Sequence, residues 1–322
     1  MNYHFNSYTK VSDKGIAKFT FIPSLDLPKD LPVLTPINFV YVGTEVILCL
    51  DKDNQWNAVC GKLEKNETWM EAVIRETYEE IGVIIKHNSI YLCGYMLCEN
   101  EGDSKFPKKS VLPVCYSFFS DIDYNWTPHE TLGREIFRHA SVKKRLSERK
   151  DESQLLSIYK YVNKEKDKGL EVQFSFFPNI LLDNVPITSA MTFCLDDENK
   201  VCIVKDGDEN FYSLPGGGKE ILETPKECAM RELMEEAQIV GYKPQIFGTI
   251  LVKLIKNKIV VSQMQQSRFF CKTSEMQDFI PYKDGFETDE RSFVKIDDLI
   301  SLVEQLQNEN GEDIISHLKS II

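Results

Sequence analysis

The chain has 322 residues, is 42% hydrophobic and carries a net charge of −12. That length suits two domains of ordinary size better than one core, and the acidic balance argues against a partner such as duplex nucleic acid, whose phosphates call for a basic surface. No run of about 18 apolar residues occurs, so no membrane-spanning helix is expected.

The first residues, Met1 to Lys10, lack the apolar centre of a signal peptide. Apolar, β-branched runs at Phe39 to Val42 and Glu45 to Leu50, separated by turn residues, read as strands. A loop with Gly61 follows, and then a helix start. Thr68 with Glu71 three residues on forms a capping box. The helix buries Val73, Ile74 and Ile81, and its other residues put Glu76, Glu79 and Glu80 on one face. Runs at Ile90 to Leu97 and Val111 to Phe119 read as strands, and Ser141 to Val162 as one helix. The charged run Asn163 to Gly169 reads as a linker, which places the domains at 1–165 and 166–322.

The order then recurs. Met191 to Leu195 and Lys200 to Val204 read as strands, and Gly216, Gly217 and Gly218 form a loop. Thr224 with Glu227 makes a second capping box, and Pro225 stands at the first helical position, where a missing N–H costs nothing. Ala229, Leu233 and Ala237 form the apolar face, and Glu232, Glu235 and Glu236 share another. Phe247 to Ile255 and Ile259 to Phe270 read as strands, and Ile296 to Ile322 as a closing helix. The offset from Arg75 to Arg231 holds without a gap back to Val46-Ile47-Leu48 and Cys202-Ile203-Val204. Glu130-Thr131 with Arg134 matches Glu287-Thr288 with Arg291 one residue later. A similarity this long indicates a duplicated domain.

Nine cysteines at irregular spacing, with no Cys-x-x-Cys pair, read as free thiols in a reducing compartment, and Cys49, Cys194 and Cys202 as core. A cytoplasmic location is expected. Three carboxylates on one helix face repel each other unless a cation sits among them, and hard oxygen ligands of this kind suit Mg²⁺ or Mn²⁺.

The spacing Gly61, Glu67, Arg75-Glu76-Thr77-Tyr78-Glu79-Glu80-Ile81-Gly82-Val83, and again Gly217, Glu223, Arg231-Glu232-Leu233-Met234-Glu235-Glu236-Ala237-Gln238-Ile239, resembles the Nudix box. The resemblance implies two Nudix hydrolase domains in tandem, each an α/β/α sandwich. It implies metal ligands at Glu76, Glu79, Glu80 and the Gly61 carbonyl, and at Glu232, Glu235, Glu236 and the Gly217 carbonyl. Arg75 would orient the carboxylates through Glu67, and Arg231 through Glu223. Nudix enzymes often carry a general base on a later loop. Glu290 is the candidate in the second copy, with Glu287 as runner-up, and Glu130 in the first.

Each copy departs from the pattern. Cys60 stands where the second copy has Gly216, which would stiffen or displace the loop; it reads as a small apolar filler, with a catalytic role as the alternative. Thr77 replaces a bulky apolar residue, which suggests looser helix packing. Gln238 replaces the Gly that ends the box helix, and Gly241 would take the cap if the helix ran on by a turn. Gly133 aligns with Glu290.

The implied activity is hydrolysis of the diphosphate linkage in a nucleoside diphosphate joined to a further moiety X, a small-molecule substrate, with Mg²⁺ or Mn²⁺ as cofactor. The protein would act as a monomer with an internal pseudo-dimer, or as a homodimer. A second reading divides the labour. One copy catalyses, and the other, the first by virtue of Cys60 and Gly133, binds ligand or serves as partner. A third is a non-enzymatic nucleotide sensor, against which the intact glutamates of both boxes count. Trp56, Tyr212, Tyr242 and Phe247 are aromatic candidates for stacking on a base, with core packing as the alternative.

Overall fold

The structure, a computed structural model, describes residues 5, 7–12, 15–101, 107–137, 139–149, 152–206, 211–220, 222–281 and 288–322. Two compact units emerge, Met1–Glu171 with Ile255–Ser262, and Val172–Leu254 with Gln263–Ile322. No helix among the described residues is long and apolar enough to cross a membrane.

The first sheet and its helices comprise β1 (Tyr8–Ser12), β2 (Gly15–Pro23), β3 (Ile37–Val42), β4 (Glu45–Leu50), β5 (Trp56–Asn57), β6 (Val59–Cys60), α1 (Trp69–Ile81), β7 (Val83–Glu101), β8 (Lys109–Ile122), β9 (Gly133–Phe137), α2 (His139–Ser147) and α3 (Glu152–Asp167). The main strand order is β1-β2-β7-β8-β3-β4-β5, with β6 on β3 and β9 on β4. The β3–β8 pair is parallel. Phe39 to Val42 and Val46 to Cys49 are buried at every position, the pattern of strands covered on both faces. The covers are opposite helices. Asn38 turns toward α1, where its side-chain amide donates to Thr77 Oγ1 at 3.1 Å. Its neighbour Phe39 turns the other way, its ring 5.6 Å from that of Tyr159 in α3.

The second sheet repeats this plan with β10 (Leu170–Pro178), β11 (Ile187–Leu195), β12 (Val201–Asp206), β13 (Gly216–Gly218), α4 (Pro225–Ala237), β14 (Ile239–Lys256), β15 (Ile259–Met276) and β16 (Thr288–Val294), followed by α5 (Leu299–Leu302) and α6 (Gly311–Ile321). Its order is β10-β14-β15-β11-β12-β16, with β13 on β11. The β11–β15 pair is parallel, the counterpart of β3–β8. Cys194 packs with Leu233 and Ala237 of α4. Phe193 faces the other way, onto Phe247, whose ring lies 4.8 Å from His317 of α6. Both units are therefore α/β/α sandwiches.

Four expectations need correction. The helix foreseen from Ser141 to Val162 is two helices, because α2 stops at Ser147 and Arg149 turns to donate to the Trp56 carbonyl at 2.7 Å. The closing helix is also broken. Val303 is extended (φ −99, ψ 114) and bridges to Tyr212, so only α6 forms a helix of several turns. The run Asn163 to Gly169 is not an open linker, since α3 continues to Asp167 and β10 begins at Leu170. Finally, Gly241 does not cap α4. Gln238 itself takes the left-handed conformation (φ 54, ψ 44) that Gly82 takes at the end of α1. The strain of a side chain there, on the order of 1 kcal/mol, is offset by the Gln238 amide, which donates to the Ile280 carbonyl at 2.8 Å and accepts from the Ile280 N–H at 2.9 Å.

Thr77 does not loosen its helix either. It is fully buried, and Asn38, which also donates to Ser117 Oγ at 2.9 Å, satisfies its hydroxyl. A buried hydrogen-bond network replaces the apolar contact that Leu233 makes in the second unit.

Candidate active site

Each box helix is fixed at both ends by local chemistry. At the start, Thr68 accepts from the Glu71 N–H while the Glu71 carboxylate accepts from the Thr68 N–H at 2.7 Å, and Thr224 with Glu227 does the same. At the end, Thr131 Oγ1 donates to the Glu80 carbonyl at 2.8 Å, and Arg134 donates to the Ile81 carbonyl. Thr288 and Arg291 hold the Glu236 and Ala237 carbonyls in the same way. The downstream repeat thus has a physical role. It supplies donors to the orphan carbonyls of the box helix.

The preceding glycines determine how closely loop and helix approach. A Cβ on Gly61 would fall 1.7 Å from the Glu76 carboxyl carbon, and one on Gly217 would fall 2.5 Å from Glu232 Oε1. The loop backbone therefore lies hard against the first glutamate of each triplet. Only a residue without a side chain permits this.

Arg75 gathers the first cluster. Its Nε donates to Glu67 Oε1 at 2.8 Å, one terminal nitrogen to Glu76 at 2.7 Å and Glu79 at 2.8 Å, and the other to Glu67 Oε2 and the Lys62 carbonyl. Arg231 binds Glu223, Glu232, Glu235 and the Gly218 carbonyl in the same pattern. Glu80 and Glu236 take a separate task. They accept from the backbone N–H groups of Cys60 and Gly216 at 3.0 and 2.9 Å. Glu76 and Glu232 are nearly buried, whereas the side chains of Glu79 and Glu235 are 45% and 51% exposed.

The electrostatics follow from this placement. Burial raises the carboxyls of Glu76 and Glu232 above their usual range despite the adjacent arginines. Burial, then the charges of Glu76 and Glu130, push Glu80 up to about 7 against the opposing Cys60 N–H. An acid raised in the folded state binds more protons folded than unfolded, so stability falls as pH rises between its two values. Metal-free protein should accordingly lose stability as pH rises from about 4.5 to about 7. Urea titrations of wild type and Glu80→Gln across that window will check this, and a wild-type slope that survives in Glu80→Gln would refute it.

Cys60 is exposed at its surface, not a core filler, yet its thiol is crowded. Local burial and then Glu80 and Glu76 push it up to about 12, which removes it as a nucleophile near neutrality. Cys49, Cys194 and Cys202 are buried as expected.

A cleft of about 520 Å³ opens beside the first cluster. Its lining includes Arg75, Glu76, Glu79 and Glu130 together with Tyr78, Asp123, Trp126 and His129. Trp126 and His129 were not foreseen, since neither lies within the box or the repeat. Trp126 is positioned by the Glu79 carbonyl, to which its Nε1 donates at 3.2 Å, and by Arg134 stacked over its ring. Glu130 therefore stands with the carboxylates of its box. In the second domain Glu290 accepts from the Tyr212 hydroxyl and from Ser292 Oγ at 3.2 Å. Glu287 lies outside the described residues. Of the aromatic candidates, Trp56 packs edge-on to Phe137 and Phe247 is core, while Tyr242 is exposed.

Among the described residues, no three His, Cys, Asp or Glu side chains are already disposed as a metal cage. The reason is visible in the contacts, since Arg75 and Arg231 hold two glutamates of each triplet and a backbone N–H holds the third. The donors nevertheless fit a hard divalent cation. They are all oxygen, and the glycine loop brings a backbone strand against a buried carboxylate that burial disfavours as a bare anion.

Several solved structures resemble the chain. A pyrophosphohydrolase from Bacillus subtilis aligns at 20% identity over 46% of this chain and 90% of its own, with a TM-score of 0.36. An ADP-ribose pyrophosphatase from Streptococcus suis aligns at 18% identity over 42% and 92%, with a TM-score of 0.30. The NUDIX domain of a Shewanella oneidensis protein complexed with ADP ribose aligns at 12% over 42% and 88%, at 0.32. A search of curated proteins gave no match. The NUDIX domain itself matches twice, over residues 39–156 and 186–317, which take in both box helices and most strands of each sheet, with β1, β2 and β10 outside. The chain therefore belongs to the Nudix family, which it carries as two domains in tandem.

Proposed function

We propose that the protein is a divalent-metal-dependent diphosphatase that cleaves nucleoside diphosphates linked to a further moiety, with the first domain performing the hydrolysis. The observation that carries this reading is the company kept by Glu130, which lines one cleft with Glu76 and Glu79. This reverses the division of labour that Cys60 and Gly133 suggested.

Glu76, Glu79 and Glu80, with the Gly61 carbonyl, would hold Mg²⁺ or Mn²⁺, and Glu232, Glu235 and Glu236 with the Gly217 carbonyl are the equivalent set. When bound, such ions polarise phosphoryl oxygens and acidify water. Arg75, anchored on Glu67, fixes the directions of Glu76 and Glu79, and Arg231 does so for Glu232 and Glu235. Glu130, which lines the same cleft, would accept a proton from an attacking water. Trp126 and Tyr78 give the cleft an apolar wall for the nucleoside.

The test is a panel of ADP-ribose, nucleotide sugars, nucleoside triphosphates, dinucleoside polyphosphates and dinucleotide cofactors. Each is assayed for product with Mg²⁺, with Mn²⁺ and with EDTA. Hydrolysis of at least one class that EDTA abolishes and Glu130→Gln slows by about a hundredfold is expected. Turnover indifferent to EDTA, or no turnover of any class, would remove the proposal.

A further inference from the structure

In the second domain a cation is buried with no counter-ion among the described residues. Arg268, in β15, is 4% exposed. Among the described residues its guanidinium reaches two neutral acceptors, the Ser267 carbonyl at 3.4 Å and Gln266 Oε1 at 3.3 Å, both at the long limit of a hydrogen bond. No Asp or Glu among the described residues lies within ion-pair distance of it, and its only resolved perturbation is burial, which lowers it to about 10 and leaves it charged at neutral pH.

Strand alternation defines its surroundings. Phe269 packs on Ala229 and Cys228 of α4, so Arg268 faces the opposite side of the sheet. Gln266 and, on the neighbouring β11, Ser189 and Met191 belong to that same face, in the pairs Ser189↔Gln266 and Met191↔Arg268. The Ser189 hydroxyl is also buried and has no hydrogen-bond partner among the described residues. A five-donor fork and a free hydroxyl donor thus share one buried surface. A buried charge in this condition costs several kcal/mol unless something compensates it.

We infer that Arg268 and Ser189 form a binding site for an oxyanion, a phosphoryl or carboxylate group of a small ligand, on the face of the second sheet turned away from α4. The donor chemistry sets the class. A planar guanidinium matches two oxygens of such a group, and a serine hydroxyl can supply a further hydrogen bond. The site uses none of the box residues and stands whether or not the diphosphatase reading holds. It lies on the same sheet as the box loop, for Met191 pairs with Gly216 on one side and Arg268 on the other. Two strand spacings, roughly 10 Å, separate the two.

The experiment uses the full chain in EDTA, so that the boxes hold no metal. Sodium phosphate and sodium acetate are titrated separately at constant ionic strength, with thermal unfolding and calorimetry as readouts, on wild type, Arg268→Met and Ser189→Ala. One saturable site per chain is expected for wild type, with Tm rising by about 5 °C near saturation. A response to phosphate assigns the phosphoryl source, and a response to acetate alone assigns the carboxylate. Arg268→Met should bind at least tenfold more weakly while matching or exceeding the ligand-free Tm of wild type. A purely structural arginine would instead lower that Tm and leave no anion response to lose. Ser189→Ala should weaken binding severalfold at unchanged ligand-free Tm, and it decides the matter if Arg268→Met does not fold. The absence of any saturable anion response in wild type, or wild-type affinity in Ser189→Ala and in a folded Arg268→Met, overturns the site.

Discussion

Glu79→Gln should slow Mg²⁺-dependent hydrolysis by about a thousandfold, the equivalent of about 4 kcal/mol of lost transition-state stabilisation. Glu79 is the cleanest position for this measurement because its side chain is half-exposed. Glutamine keeps its size and can still accept from Arg75, so the fold should survive and the loss should appear in kcat. Glu76 offers no such separation, since it is buried against the Gly61 loop. Glu235 occupies the matching place in the second domain, with the same arginine contact and similar exposure. Its glutamine variant is the comparison. If the first domain does the chemistry, Glu235→Gln retains most of the activity while Glu79→Gln loses nearly all of it. Equal losses would indicate two working domains, and a loss confined to Glu235→Gln would return the first domain to a supporting role. Circular dichroism melts on both variants separate a catalytic effect from unfolding.

How much of this could be read beforehand differs between elements. The box helices were legible to the residue at their starts, because a capping box is local chemistry and Thr68 and Thr224 act on residues three positions away. Their ends were less so. Gln238 keeps the left-handed cap only because Ile280, far along the chain, meets its amide, and no local pattern announces that. The same holds for Thr77, which looked like a packing defect until Asn38 and Ser117, on two other strands, were seen to surround it. The break in the closing helix has no local signal because a single extended residue, Val303, is held by a bridge to Tyr212. In the candidate site, the carboxylates and their arginines were visible as spacing. The cleft was not, because Trp126 and His129 reach it through the turn between β8 and β9, a segment with no periodicity of its own. The alignment of Glu290 with Gly133 follows the shared role of Arg134 and Arg291, but in the sheets it is one position out of register, since Gly133 faces Leu50 and Glu290 faces Lys205. It also gave no hint that Tyr212 would occupy the carboxylate.

Arg75→Met should destabilise the metal-free first domain by about 3–5 kcal/mol. The estimate rests on what the guanidinium leaves behind. Glu67 and Glu76 are 12% and 7% exposed at their side chains, and both make their closest charge contact with Arg75. Glu79 and the Lys62 carbonyl share the same fork, so one substitution strands several acceptors at once. A lysine cannot substitute for this geometry, because one ammonium cannot span Glu67, Glu76 and the loop carbonyl together, and Arg75→Lys should recover less than half of the loss. Mg²⁺ supplies the decisive comparison. A cation bound among Glu76, Glu79 and Glu80 would relieve the same repulsion, so millimolar Mg²⁺ should stabilise Arg75→Met more than it stabilises wild type. Denaturant unfolding of the three proteins, in EDTA and in Mg²⁺, measures both effects. Wild-type stability in Arg75→Met would mean that the glutamates tolerate one another in water without help. A large loss that Mg²⁺ leaves untouched would mean that Arg75 serves the fold alone, and that the carboxylates around it are not a metal site.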